Sequence, residues 1–496
     1  MMQDFFLIFF ILSFVTFILI DGIINVRSFF MNKIEIIYGC ADNGPQKKAL
    51  EVLTELLLDY TLEYPICSKY RDDLPESGRL KIYIGTRANN RVFDSLAKAP
   101  LTRREEYRIS VKDNTVFIEG FDDAGVLYGC MDFYNKYLIY REYRDCSDIY
   151  RFDPFDSPLP DFEYQSAPSV ENRGIWTWGH VIYDYKGFID NMVKLKMNLI
   201  IVWNDCVPVN AKEFVDYAHS CAIKVVFGFA WCWDTNCAAF DPSTVKNFSP
   251  EILRTFEEQY GDVGADGIYF QSFTELNTDK INGTSIASAV TDFVNHTASL
   301  FFEKHPNLNL QFGLHATSVK NQLADIKLVD PRIKIVWENC GSFPFSYIPK
   351  DVKNFDATVE FSKQIALLRG QDDNFGVVTK GLTKLDWPSF EHINGSVCIG
   401  SSLRSTKENR IVRKHKVWKY LQAYWMTNAD KAHDLVKALA LVKDGKFDVT
   451  ALVEDGMFEE NIMFPVALFS EMLWDCQSDT DKLINEVGLR SYVDFA

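Results

Sequence analysis

Between Gly174 and Ile399 the chain repeats one unit: a short apolar run of strand length, a polar loop and an apolar-periodic helix. The runs read as strands near Gly174–Trp178, Leu199–Asn204, Lys224–Ala230, Gly267–Phe273, Leu308–Leu314, Ile333–Trp337, Gly376–Thr379 and Ser396–Ile399. Strands apolar on both faces and separated by helices must be parallel and covered on both sides, because each crossover lays its helix over the sheet. Eight such units over about 240 residues predict a (β/α)8 barrel spanning 168–408. The fold class expected is therefore α/β: a (β/α)8 TIM barrel, preceded by a small α+β domain over 31–150 and followed by a helical region over 409–496. Prolines at 154, 158, 160 and 168 mark the linker into the barrel. In the tail, WKYLQAYW gives an aromatic stripe that suits packing against the barrel.

The residues that follow the strands share a chemistry. They are Trp176, Trp178 and His180; Trp203, Asn204 and Asp205; Trp231, Trp233 and Asp234; Gln271 and Glu275; His315; Glu338; and Lys380 and Trp387. A barrel gathers such groups in one place, since the loops at the C-terminal strand ends converge while the strands hold their geometry. Indole rings stack on the apolar faces of sugars, and Asn, Asp and His orient hydroxyls, so the mixture points to a carbohydrate. No phosphate-cradling glycine loop accompanies it in the sequence. Each tryptophan has the competing reading of barrel core.

Hydrolysis of a glycosidic bond uses two carboxyls, one donating a proton to the leaving oxygen and one ionised as nucleophile or base. The stretch DGIYFQSFTELN, Asp266 to Asn277, delivers Glu275 just past an apolar strand, and IKIVW delivers Glu338 in the same way. Glu275 is expected as the acid and Glu338 as its ionised partner. For Glu338 the alternative is a ligand for a substrate hydroxyl, with Asp205 or Asp234 as the second carboxylate. Two other functions stay open: a sugar-binding barrel without catalysis, and a lyase using His180 or His315 as base.

Ahead of the barrel, EEYRISVKDNTVFIEGFDDAGVLYGCMDFYNKYL shows two alternating runs, a Lys112-Asp113-Asn114 turn and a helix from Asp123. This hairpin followed by GVLYGCMDF resembles the non-catalytic N-terminal domain that precedes the barrel in hexosaminidase-like and α-glucuronidase-like glycoside hydrolases. The resemblance covers roughly a hundred residues and implies a glycoside hydrolase with no catalytic group from this domain; long loops rich in Trp suit a pocket that trims terminal sugars, and equally a cleft. Hexosaminidases acting through the substrate acetamido group carry an Asp before the strand-four Glu, where this chain has Thr274. Retaining barrels of the largest glycosidase clan carry a strand-seven nucleophile, where FGVVTKGLTKLDW offers Lys380 and Asp386. The α-glucuronidase-like pattern is closer, and it implies Lys380 or Arg404 as holder of a uronate, with solvated loop charges as the competing reading of both.

A net charge of −16 argues against broad contact with nucleic acid or an anionic membrane surface. Eleven scattered cysteines show no paired framework, and Cys130, Cys221 and Cys398 fall in apparent strands or helices, as reduced core residues do. No metal-ligand spacing appears, and neither metal nor cofactor is expected. Residues 5–20 are continuously apolar. They lack a cationic flank on the N-terminal side, and Arg27 and Lys33 on the other side would keep the main body cytoplasmic if the segment anchored. The alternative is a true start at Met31. Oligomeric state is not readable from the sequence.

Overall fold

The computed structural model describes residues 33–42, 44–74, 77–141, 155, 158–231, 241–274, 276, 278–315, 318–338, 355–379, 382, 395–453 and 458–494, with backbone alone at 414, 417, 418, 421 and 424. The apolar run at 5–20 lies outside them. Among the described residues no helix is long and apolar enough to cross a membrane.

The N-terminal domain is a six-stranded sheet in the order Ile66–Lys69, Ile34–Tyr38, Leu80–Gly85, Thr115–Gly120, Tyr107–Lys112, Phe162–Ser166. The first four run parallel, and the hairpin reverses direction at Asp113 and Asn114, both left-handed with φ of 47° and 59°. Two consecutive left-handed residues make the tight turn whose twist matches the strands it joins, and Asp and Asn tolerate it. Asp122 starts the following helix, Asp123–Phe133, by accepting the Gly125 N–H at 2.8 Å. The proline-marked segment is not simply a linker. Its end, Phe162–Ser166, pairs antiparallel with Tyr107–Lys112, so the domain runs past residue 150 to 166.

Eight parallel strands close the barrel: Asn172–Trp178, Leu199–Trp203, Lys224–Gly228, Gly267–Gln271, Leu310–Leu314, Lys334–Glu338, Phe375–Thr379 and Asp448–Leu452. They are called strands one to eight. Seven lie where the sequence places them, and the eighth does not. Residues 396–399 are not a barrel strand. They lie in an extended segment, here called the strap, that crosses the loops after strands one and two. Val209 N–H donates to the Val397 carbonyl at 2.9 Å, Asn210 brackets the Ile399 backbone at 2.8 and 2.9 Å, and Gly400 N–H reaches the Ile182 carbonyl at 3.0 Å. Backbone groups paired this way are unavailable to a sheet. Cys398, expected in the core, is accordingly exposed, whereas Cys130 and Cys221 are buried. The barrel thus extends beyond 408, and the region 409–496 holds a strand as well as helices. Strand eight pairs in register with strand one, from Asp448↔Asn172 to Leu452↔Trp176.

Side chains alternate along each strand. One set packs outward on the helices, exemplified by Ile286–Lys304, whose buried Ile286, Val290, Phe293, Val294 and Phe301 follow helical spacing behind a Ser285 cap. The other set fills the barrel with Ile201, Val226, Val336, Val378 and the aromatic rings of Trp176, Trp203 and Tyr269. The first residues of strands one, three, six and eight seal the N-terminal end with polar groups. Asn172 donates to Asp448 at 2.6 Å, Lys224 donates to Asn172 at 3.1 Å, and Lys334 pairs with Asp448.

The sheet domain, the barrel and the tail meet at a fully buried charge cluster. Lys196 contacts Asp132 at 2.8 Å and Glu471 at 3.0 Å, Arg490 contacts Glu471 at 2.7 Å, and Lys196 stands 4.5 Å over the Trp474 ring. Burial by itself pushes both carboxyls up. The cations Lys196 and Arg490 outweigh it, holding Asp132 below and Glu471 far below the usual carboxylate range. In the tail, Trp425 is buried against Phe469 while Tyr420 is exposed; the Trp418 and Tyr424 side chains of the predicted stripe lie outside the described residues.

Candidate active site

Strand four ends inside the barrel mouth because its parity puts Tyr269 and Gln271 on the inner face, with Ile268 and Phe270 on the outer face against helices. Strand five continues as Leu314 outward and His315 inward, and strand six ends on Glu338. Their polar ends meet. Glu338 Oε1 accepts from the Tyr269 hydroxyl and from Gln271 Nε2, and Glu338 Oε2 lies 2.7 Å from His315 Nε2. Glu338 is 2% exposed and His315 1%.

In the tautomer with its proton on Nε2, the one that suits an ionised partner, His315 donates to Glu338. Gln271 Nε2 also approaches His315 Nε2, at 3.2 Å. Two donors face each other there, and both are satisfied by the carboxylate between them. Three donors converging on one carboxyl call for its ionised, acceptor-only form. Gly313 makes the convergence possible. It pairs with Gln271 on one side and Val336 on the other, standing between strands four and six. A Cβ at Gly313 would lie 2.2 Å from the Tyr269 hydroxyl oxygen and 2.7 Å from Glu338 Oε1. The missing side chain is the passage through which strand four reaches strand six.

Aromatic rings flank this group. Tyr269 meets the Trp176 ring edge-on at 6.0 Å and Trp203 at 6.2 Å, and Trp178 packs edge-on against both tryptophans at 5.5 and 5.9 Å. His180, part-buried, tilts against Trp178 at 6.2 Å. Asn204 is buried, donates to the Cys206 carbonyl and sits beside Gly179, whose Cβ would lie 3.3 Å from its Oδ1. The buried rings of Trp176, Trp178 and Trp203 thus pack beside Tyr269, and through it beside Glu338, at this end of the barrel.

The structure brings Trp176, Trp178, His180, Trp203, Asn204, Gln271, His315 and Glu338 to this end of the barrel. Asp205 is at the same rim but exposed to solvent. Trp231 belongs elsewhere. It is fully buried, stacked on Phe270 at 3.6 Å and on Phe301 at 5.3 Å, in the layer between barrel and helices. It shares the outward parity of Phe227 and Phe229, so it is core rather than a sugar platform. Arg404 is a solvated helix charge, 88% exposed and paired with Glu408 at 2.9 Å. Glu275, Trp233, Asp234, Lys380 and Trp387 lie outside the described residues. Sequence reading missed Tyr269 and Gly313. For Tyr269 a signal existed, because it stands two residues before Gln271 and therefore shares its face. Among the described residues no group of three or more His, Cys, Asp or Glu side chains gathers as a metal-binding set.

No family model matches the chain, and no curated protein matches it in sequence. Solved structures do match its fold. CpGH84B superposes with a TM-score of 0.53 at 11% identity, over 92% of this chain and 70% of that one. BtGH115A, described as a family GH115 4-O-methyl-α-glucuronidase with specificity for decorated arabinogalactans, gives 0.50 at 13% identity, over 91% and 57%. A β-N-acetylhexosaminidase from Bacteroides fragilis NCTC 9343 gives 0.50 at 14% identity, over 92% and 90%. At these identities the likeness establishes the architecture: a sheet domain, a (β/α)8 barrel and what surrounds them.

Proposed function

We propose that the chain is a glycoside hydrolase that removes terminal sugars from oligosaccharides or glycosides at the mouth of the barrel. The observation that carries this reading is Glu338, a buried carboxyl at a strand end on which Tyr269, Gln271 and His315 converge, next to a cluster of tryptophans. An oxocarbenium-like transition state is positively charged, and a preorganised carboxylate in a water-poor site favours it without reorganising. Glu275, just beyond the end of strand four, is proposed as the proton donor on its position in the sequence. The tryptophans and Gln271 would stack on and orient the sugar, with Lys380 and Trp387 on the strand-seven side. The strap joining the loops of strands one, two and seven supports a walled pocket, which suits a chain end better than an open cleft. The fold shared with an α-glucuronidase and a hexosaminidase supports the class, and a uronide is the favoured substrate because Thr274 stands where acetamido-assisted enzymes carry Asp. The buried free thiols Cys130 and Cys221 support a cytoplasmic body.

The test is a panel of aryl glycosides, including uronides and N-acetylhexosaminides, offered to the full chain and to Glu275→Gln and Glu338→Gln. The expected result is release of free sugar from a uronide, lost in both variants. The saturation of Glu338 by donors favours one competing reading, a sugar-binding barrel without catalysis. That reading gains if ligands raise the melting temperature while no aryl glycoside turns over. An ultraviolet-absorbing unsaturated product would indicate a lyase instead.

A further inference from the structure

The loop after strand one, residues 179–184, is gripped from three directions at a single residue. Tyr183 donates its N–H to Glu459 Oε1 at 2.7 Å, accepts the Ser402 N–H on its carbonyl at 3.2 Å, and takes Arg410 Nε on its hydroxyl at 3.0 Å. Glu459 belongs to the loop after strand eight, Ser402 to the strap, and Arg410 to the helix Arg404–Thr427. The gripped loop begins directly after Trp178 and carries His180, so its position sets one wall of the mouth.

Only one of these grips comes from a carboxyl. Glu459 as a residue is part-buried, yet its Oε2 is sealed from solvent and meets no donor among the described residues. Among the described residues, the charged groups nearest it are engaged elsewhere. Lys407 pairs with Glu460 and lies 3.9 Å from Asp184, while Asp184 caps the next helix by accepting the Gly187 N–H at 3.2 Å. Burial pushes the Glu459 carboxyl up to about 7, against the weaker opposing pull of the Tyr183 and Asp184 N–H groups and of Lys407. A carboxyl displaced in that direction favours the closed structure fully below the ordinary carboxylate range, and loses that contribution as pH rises through about 7.

We infer that Glu459 is a positioning residue, whose neutral carboxyl clamps the loop after strand one to the loop after strand eight, and whose ionisation, by placing charge on the sealed Oε2 that meets no donor among the described residues, draws the carboxyl towards water and loosens the clamp. The clamp stands on the geometry around Tyr183; only its effect on substrate rests on the glycosidase reading. In that reading, ionisation lets Trp178 and His180 drift and weakens sugar binding before it affects the chemical step.

The experiment compares the full chain with Glu459→Gln, a neutral isostere, at about pH 5.5 and about pH 8.5. Hydrogen exchange at the Tyr183 amide, corrected for its intrinsic pH dependence, is expected to speed up in the parent at the higher pH and to stay slow in the variant. Between the two conditions the parent should lose about 2–4 °C more in melting temperature than the variant. Lys407→Met removes a cation that favours ionisation, and should move the pH at which exchange accelerates upwards. Equal pH dependence in parent and Glu459→Gln would overturn the inference, as would a Tyr183 amide protected at both pH values in the parent. Where a glycoside is turned over, KM should rise above neutral pH in the parent alone, with kcat little changed. Silence across the glycoside panel refutes the hydrolase and leaves the exchange result intact, whereas exchange independent of Glu459 refutes the clamp and leaves turnover intact.

Discussion

Glu471 at the seam between the domains and Glu338 at the barrel mouth are both buried carboxylates, and their partners differ in kind. Glu471 faces two fixed cations, Lys196 and Arg490, with Asp132 sharing Lys196. Among the described residues Glu338 faces a phenol, an amide and an imidazole, none of which carries a permanent charge. A carboxylate matched by cations is electrostatically finished, and removing it strands the buried charge of Arg490 and leaves Lys196 to Asp132 alone. One held by neutral or switchable donors keeps its field available to a developing positive charge nearby. The seam is therefore built for holding three parts of the chain together, and the mouth for responding to something that arrives.

The largest expected effect divides the two sites in one experiment. Glu338→Gln should lower kcat by about a thousandfold while changing stability by no more than about 2 kcal/mol. Glu471→Gln should do the reverse, costing about 3–5 kcal/mol of stability by leaving Arg490 unpaired and Lys196 with Asp132 alone, with kcat of the folded protein unchanged. Denaturant titration beside single-substrate kinetics reads both, and comparable kcat losses in the two variants would break the distinction.

The acid limb of stability sharpens it. Asp132 and Glu471 are held below their ordinary values, so their contribution is fully present above the ordinary carboxylate range and is lost as pH falls through their depressed values. Melting curves taken downwards from about pH 6 should fall steeply in the parent and more gently in Glu471→Gln. Smaller is Gly313→Ala, whose Cβ would press on both Tyr269 and Glu338. It should cost about a hundredfold in activity through misplacement and about 1–3 kcal/mol in stability. Smallest is Tyr269→Phe, which removes one of the three donors and should cost about tenfold in kcat. An activity equal to the parent's in Gly313→Ala would show that the passage between strands four and six does not matter.

Much of this was legible in the residues. Seven strands carry apolar runs, and Glu338 and Gln271 stand out as polar groups at the ends of such runs. Strand eight, DVTAL, did not stand out because two of its three inward positions are Asp448 and Thr450. Asp448 is satisfied by Asn172 and Lys334, which come from distant stretches of chain, so nothing local announces that it can be buried. Val397 and Ile399 imitated a strand because the strap is also extended and partly covered. Trp231 was misread through its neighbourhood to a strand end, although its parity with Phe227 and Phe229 pointed outward. The Tyr269 contact needed the knowledge that Gly313 opens a path across strand five, and that follows from register, which a single sequence does not display.

The late arrival of strand eight has a consequence in time. Strand seven ends at Thr379 and strand eight begins at Asp448, with the helices Arg404–Thr427 and Ala429–Lys443 between them. On a ribosome adding about 5–20 residues each second, the chain spends several seconds with seven strands made and the edge of Asn172–Trp178 unpaired. That edge carries Trp176 and Trp178, a sticky template for any neighbouring nascent chain. The interval is a window in which a chaperone has something to hold, and synonymous changes that slow decoding between 380 and 448 would lengthen it without altering a single residue.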